Sequence, residues 1–174
     1  LAVGGKLALF NFGIDEEGRY LGATGGVNMF DTFSEIWAEF RDDGVITAEE
    51  YRDTNFPQSY RTVEQFTAPF LQEDNSVYKA GLRMEHVETR VVACPYEVDF
   101  RDHGDAAKFA REYIPTLRSW SETTFAAGLS PTRSPEEAQD ILDRYFDAYE
   151  ARVRENPEGH AMDYVHCYLI VEKV

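Results

Sequence analysis

The run from Met162 to Val171 constrains this chain most. Read as an extended segment, it places Val165, Cys167, Leu169 and Val171 on one face and Tyr164, His166, Tyr168 and Ile170 on the other. Neither face is plainly solvated. A strand apolar on both sides belongs inside a sheet layered on both faces, not in an exposed hairpin. It is therefore expected to insert between earlier strands. Leu7 to Phe10, between Gly4–Gly5 and Gly13, form a continuous apolar run that predicts a buried strand over 6–12. Leu82 to Cys94, rich in Val and bounded by Gly81 and Pro95, predict another, with a continuation through Tyr96, Val98 and Phe100.

Between these strands the period changes to that of helices. Met29, Phe30, Phe33, Ile36, Trp37 and Phe40 recur at helical spacing, and Gly44 supplies the stop. Thr47 with Glu50 and Thr62 with Gln65 each fit a capping box, predicting two short helices separated by the aperiodic loop Asn55–Tyr60 around Pro57. Residues 105–127 read as a helix kinked at Pro115. Ser134, Pro135 and Glu137 combine N-cap, N1 proline and capping box ahead of Ile141, Leu142, Tyr145 and Phe146.

With 43% apolar residues among 174, the chain can build a sizeable core. Acidic residues outnumber basic ones 32 to 17, and the net charge of -15 repels phosphate backbones and anionic lipid. Nucleic-acid and membrane roles are thus not expected. The same field opposes an anionic substrate, so a carboxylate site needs local donors. Cys94 and Cys167 both sit in apolar runs, as unpaired buried thiols do, which predicts a reducing, cytoplasmic setting. Residue 1 is not Met, and a strand begins within a few residues of it, so the expectation is a chain that starts inside a larger protein.

There is no G-x-G-x-x-G loop, P-loop, H-E-x-x-H or C-x-x-C pair, and the four histidines have no ligand spacing. His166 alone is placed to share a layer with Tyr164. Periodicity does not separate the aromatic helix faces into core and pocket.

The order of the segments carries a resemblance. GGKLAL at 4–9, DDGVIT at 42–47, AEEYRD at 48–53, NFPQSY at 55–60 and TVEQF at 62–66 follow one another. LRSWSE at 117–122, AAG at 126–128, DILDRYF at 140–146 and YVHCYLIV at 164–171 continue the series. The series resembles the C-terminal portion of the SABATH family of S-adenosylmethionine-dependent carboxyl methyltransferases. There, a Gly-Gly-basic turn, an E-G-x-I step, an F-N-x-P-x-Y loop and an R-A-x-x-E-P helix precede a closing apolar strand. Thr123 departs from the family's proline, and Ser59 looks like an insertion.

The resemblance implies an α/β fold: the C-terminal part of a Rossmann-like class I methyltransferase sheet with an inserted α-helical cap. Residues 1–23, 78–102 and 160–174 would contribute strands, and 24–77 and 103–159 the cap over an acceptor pocket. It further implies that Met29, Phe30, Tyr60, Leu117 and Tyr164 face the substrate, as a ring or chain held by shape requires. Some relatives hold a divalent cation near the matching loop, which would make Asp53 and Asn55 ligands for Mg; a simply capped loop is the alternative. The family's cofactor motifs and its Gln and Trp donors precede the Gly-Gly strand, so S-adenosyl-L-methionine would be bound mainly outside these residues.

The expected activity is methyl transfer to a small-molecule acceptor, a carboxylate by preference. Displacement at a sulfonium methyl by an already ionised carboxylate needs no general base, so the missing catalytic constellation is no objection and no catalytic residue is assigned. A homodimer is the expected assembly. The competing reading is a non-enzymatic α+β module that binds small molecules or other proteins through its aromatic helix faces, and a third is that the helices of 24–77 and 103–159 form a dimer interface.

Overall fold

A computed structural model describes residues 1–174, which divide into two compact units. The sheet unit comprises Leu1–Thr24, Ser59–Cys94 and Met162–Val174; the helical unit comprises Gly25–Gln58 and Pro95–Ala161.

In the sheet unit, β1 (Lys6–Ile14), β2 (Arg61–Thr62), β3 (Leu82–Val92) and β4 (Tyr164–Lys173) form one sheet in the order β2-β1-β4-β3. The doubly apolar strand β4 lies between β1 and β3 and is antiparallel to both. Leu9 pairs with Leu169 on one side of it and Val87 on the other, and Phe10 pairs with Tyr168. Cys167, Leu169 and Val171 are fully buried against Phe70, Val63 and Phe66 of α3 (Val63–Leu71). That helix opens on the complete Thr62–Gln65 capping box, and α4 (Ser76–Lys79) follows it.

Only this one face of the sheet is covered. Ala8, Phe10 and Phe12 alternate with the packed Leu7 and Leu9, and Phe10 remains 65% exposed. On β4, the face toward α3 is fully buried while Tyr164, His166, Tyr168 and Ile170 on the other face are half-buried, because α3 and α4 supply a single layer within the sheet unit.

Two further expectations are corrected. Residues 95–103 do not extend β3: Pro95–His103 forms α5, with proline in the first turn and an i,i+4 pair from Arg101 to Glu97. The cap assignment of 59–77 also differs, because the apolar stripe of α3 faces the sheet.

The helical unit holds α1 (Met29–Asp42), α2 (Ala48–Asp53), α5, α6 (Ala106–Gly128) and α7 (Pro135–Glu155). Asn28 caps α1 through Oδ1, which accepts from the amides of Phe30 and Asp31. Gly44, at φ 71, ends it in a conformation that a side chain would strain. Thr47 and Glu50 complete the expected box on α2. At Ser134 the box is half made: the hydroxyl accepts from the amide of Glu137, while the Glu137 carboxylate pairs with Arg133 instead. Helix α6 runs on through Pro115. The core is aromatic: Phe33, Trp37, Phe125, Tyr145 and Tyr149 are fully buried, and the Tyr145 hydroxyl donates to the Phe33 carbonyl at 3.0 Å. No helix is long and apolar enough to cross a membrane.

Candidate functional site

The sequence-predicted residues fall on both units. Met29, Phe30, Leu117, Asp53 and Asn55 belong to the helical unit, and Tyr60 and Tyr164 to the sheet unit.

Met29 and Leu117 are core residues of the helical unit, 1% and 0% exposed. Phe30 is half-buried at the edge of an aromatic cluster, its ring 6.1 Å from Phe33, 6.2 Å from Phe56 and 6.3 Å from Trp120. One turn further along α1, a cavity of about 240 Å³ opens between Phe33, Trp37, Phe56 and Phe125, with Tyr51, Arg52 and Thr54 at its sides. Its wall is fixed by a relay in which the Trp37 indole donates to Thr54 Oγ1 at 3.0 Å and that hydroxyl donates to the Glu50 carbonyl at 2.9 Å. Helical spacing predicted Phe33 and Trp37 as face residues of α1. Phe56 and Trp120 escaped assignment to the site because one lies in an aperiodic loop and the other three residues beyond Leu117 on α6.

In the sheet unit, Tyr60 stacks on Tyr20 with ring centroids 5.4 Å apart. Burial first, and the neighbouring Tyr20 second, push its phenol up to about 12, so it keeps its proton throughout the physiological range. Tyr20, in the loop after β1, carries no periodic signal, and only the fold reveals the pair. Tyr164 meets Phe12 edge-on at 5.5 Å, and His166 stacks on Phe12 at 5.0 Å. The Tyr168 hydroxyl lies 3.5 Å from His166 Nδ1, so the predicted layer of Tyr164 with His166 forms along one face of β4.

Asp53 closes α2 and is exposed, as is Asn55. No group of three or more His, Cys, Asp or Glu side chains is placed to hold a metal ion, and nothing in the arrangement of this pair supports Mg. The carboxylate just past β1, Asp15, is buried and already engaged. It accepts from the amides of Glu17 and Arg19 at 3.1 and 2.8 Å and from Arg19 Nε at 2.7 Å. Burial opposes its ionisation, but the Arg19 bonds prevail and lower its pKa.

No family model matches the sequence, and no curated protein matches it. Among solved structures, one described as a loganic acid methyltransferase with SAH superposes with a TM-score of 0.66 at 18% identity, covering 98% of this chain. The chain spans 43% of the length of that neighbour. At this identity the likeness establishes the fold: a mixed α/β arrangement with a four-stranded sheet, shared with part of a methyltransferase.

Proposed function

We propose that this chain is the acceptor-facing portion of a SABATH-type S-adenosylmethionine-dependent methyltransferase that acts on a small-molecule acceptor, a carboxylate by preference. The carrying observation is fold agreement over 98% of the chain with a methyltransferase solved with SAH. The insertion of β4 between β1 and β3, backed by α3, supports reading the sheet as part of a Rossmann-like sheet, with the helical unit as its cap.

The residues present do not fit the cofactor. The glycines between β1 and α1, Gly18, Gly22, Gly25 and Gly26, do not form a G-x-G-x-x-G loop, and Asp15, the buried carboxylate nearest a strand's C-terminal end, is consumed by Arg19 and two backbone amides. The methyl donor's seat is therefore assigned to a further segment of a longer polypeptide.

What these residues contribute is shape. In the sheet unit Tyr60 and Tyr164, and in the helical unit Phe30, each offer amphipathic or apolar surface of the kind that orients a ring or chain at little polar cost. Tyr60, neutral at physiological pH, adds no negative charge to the chain's -15. The reading also carries a reducing, cytoplasmic setting and a homodimer, the latter checked by light scattering across concentration.

Isothermal titration tests the proposal. S-adenosyl-L-methionine is expected to bind the longer polypeptide and not the 174-residue chain. A longer polypeptide that binds no cofactor sinks the reading and favours a non-enzymatic binding module.

A further inference from the structure

The cavity of about 240 Å³ beside α1 lies wholly within the helical unit, and none of Met29, Phe30, Tyr60, Leu117 and Tyr164 lines it. Its floor is apolar. Phe33, Trp37 and Phe125 are buried core residues, and Phe56, half-buried, stacks on Phe33 with ring centroids 5.3 Å apart.

Most polar groups on the lining are spent. Thr54 Oγ1 receives the Trp37 indole proton and gives its own to the Glu50 carbonyl. The Ser34 hydroxyl donates to the Phe30 carbonyl at 3.0 Å. The Tyr51 ring lies 4.5 Å from the guanidinium of Arg41, which is itself paired with Asp42. Arg52 is different: exposed in the last turn of α2, it makes no hydrogen bond or ion pair. Among 32 acidic and 17 basic residues, this cation has kept its charge uncommitted at the mouth of an aromatic hollow. A free guanidinium is a fork of N–H donors matched to a carboxylate.

Size narrows the ligand further. The volume exceeds the roughly 150 Å³ of a cavity that takes benzene and falls below the roughly 300 Å³ at which pockets for drug-sized ligands begin. It suits one six-membered ring with a small substituent.

We propose that this cavity is a second ligand site, separate from the acceptor residues, for a single-ring aromatic carboxylate. Its ring sits among Phe33, Trp37, Phe56 and Phe125, and its carboxylate pairs with Arg52. The ring gains aromatic contacts, and the ion pair holds the polar end at the mouth. Because Thr54 ties Trp37 of α1 to the end of α2, an occupant stabilises the junction of the two helices by mass action. The inference does not depend on methyl transfer, since every lining residue belongs to the helical unit.

Benzoate is the probe, titrated into the 174-residue chain and followed by NMR at its two indole N–H groups. Trp37 lines the cavity, and Trp120 stands beside Phe30 outside it. The Trp37 resonance is expected to shift saturably while that of Trp120 moves little. Arg52→Gln is expected to weaken binding about fivefold, the upper range for an exposed pair, and benzamide, which lacks the charge, to bind the parent about fivefold more weakly than benzoate. Arg154→Gln removes another exposed cation of the helical unit that has no ion pair, and is expected to change nothing. Ser34→Phe, at an exposed rim position, is expected to block the cavity and abolish the shift while leaving the core intact. No saturable shift at millimolar benzoate overturns the proposal. So do equal affinities for benzoate and benzamide, undiminished binding by Arg52→Gln or Ser34→Phe, and a shift confined to Trp120, which places the ligand at Phe30 instead. A longer polypeptide that binds no S-adenosyl-L-methionine refutes the functional reading and leaves this site standing.

Discussion

Glu50 and Arg133, 83 residues apart, form a two-pronged ion pair: Nε meets Oε1 at 2.5 Å and the terminal guanidinium nitrogen meets Oε2 at 2.8 Å. Oε1 also accepts from the Ser130 amide and Oε2 from the Thr47 amide, each at 2.8 Å. The capping glutamate of α2 thereby anchors the turn between α6 and α7. Its carboxylate is 3% and the Arg133 side chain 15% exposed. Removing one member of such a pair leaves the other buried and uncompensated, so Glu50→Gln is expected to cost roughly 3–5 kcal/mol. Urea denaturation of the two proteins measures it; a loss below about 1 kcal/mol, as surface pairs give, refutes the anchoring role.

The same carboxylate sets an acid limit. Hydrogen bonding from Arg133 holds Glu50 down to about 2, against 4.5 ordinarily. A depressed folded pKa gives stability that is complete above the unfolded value and is lost as pH falls through the folded one. The contribution should therefore fade between about pH 4.5 and 2. Chemical denaturation across that window should show a steeper acid loss for the parent than for Glu50→Gln.

His160 acts in a separate window. Burial first, and Arg152 second, push it down to about 4 from 6.5. Well above pH 6.5 neither the folded nor the unfolded imidazole carries a proton, so it imposes no pH dependence there. As pH falls from 6.5 towards 4 the unfolded state binds a proton that the folded state refuses, and stability declines. His160→Gln is expected to flatten stability over that interval while leaving the Glu50 window in place. An unchanged slope refutes the buried, neutral assignment.

Gly128, the last residue of α6, should resist the usual gain from alanine. An alanine Cβ there would lie 2.0 Å from Thr54 Oγ1 and 2.9 Å from Thr54 Cα. Glycine to alanine in a helix ordinarily stabilises by about 1 kcal/mol, whereas this contact predicts a loss of about 1–3 kcal/mol through overpacking. Because Thr54 also receives the Trp37 indole proton, a blue or red shift of tryptophan emission should accompany the loss. A Gly128→Ala protein more stable than its parent refutes the close packing.

Pocket and core roles separate by comparing Phe30 with Leu117. Leu117→Ala removes a fully buried side chain and is expected to destabilise by about 2–5 kcal/mol. Phe30→Ala and Tyr60→Ala, at half-buried positions, are expected to change the acceptor KM of the longer polypeptide several-fold with little change in cofactor affinity. Equal losses for both ligands would make Phe30 and Tyr60 packing residues.

Local features of the sequence settled a good part of the fold. The caps at Thr47, Thr62 and Ser134 fix helix starts because each needs only atoms within three residues. The doubly apolar run at the C-terminus required a place inside a sheet, and β4 occupies one. Tertiary structure decided what depends on distant partners. Residues 95–103 form a helix whose Phe100 stacks on Phe109 at 5.3 Å, a contact no local pattern contains. Likewise Tyr20 met Tyr60, and Arg133 met Glu50, only through the chain's path. The ordered motifs pointed to the acceptor side; Met29 and Leu117 are fully buried in the helical unit and Phe30 is half-buried. Helical periodicity records which face is apolar; whether that face ends against a neighbour or at a cavity is set by packing, which a period of 3.6 does not encode.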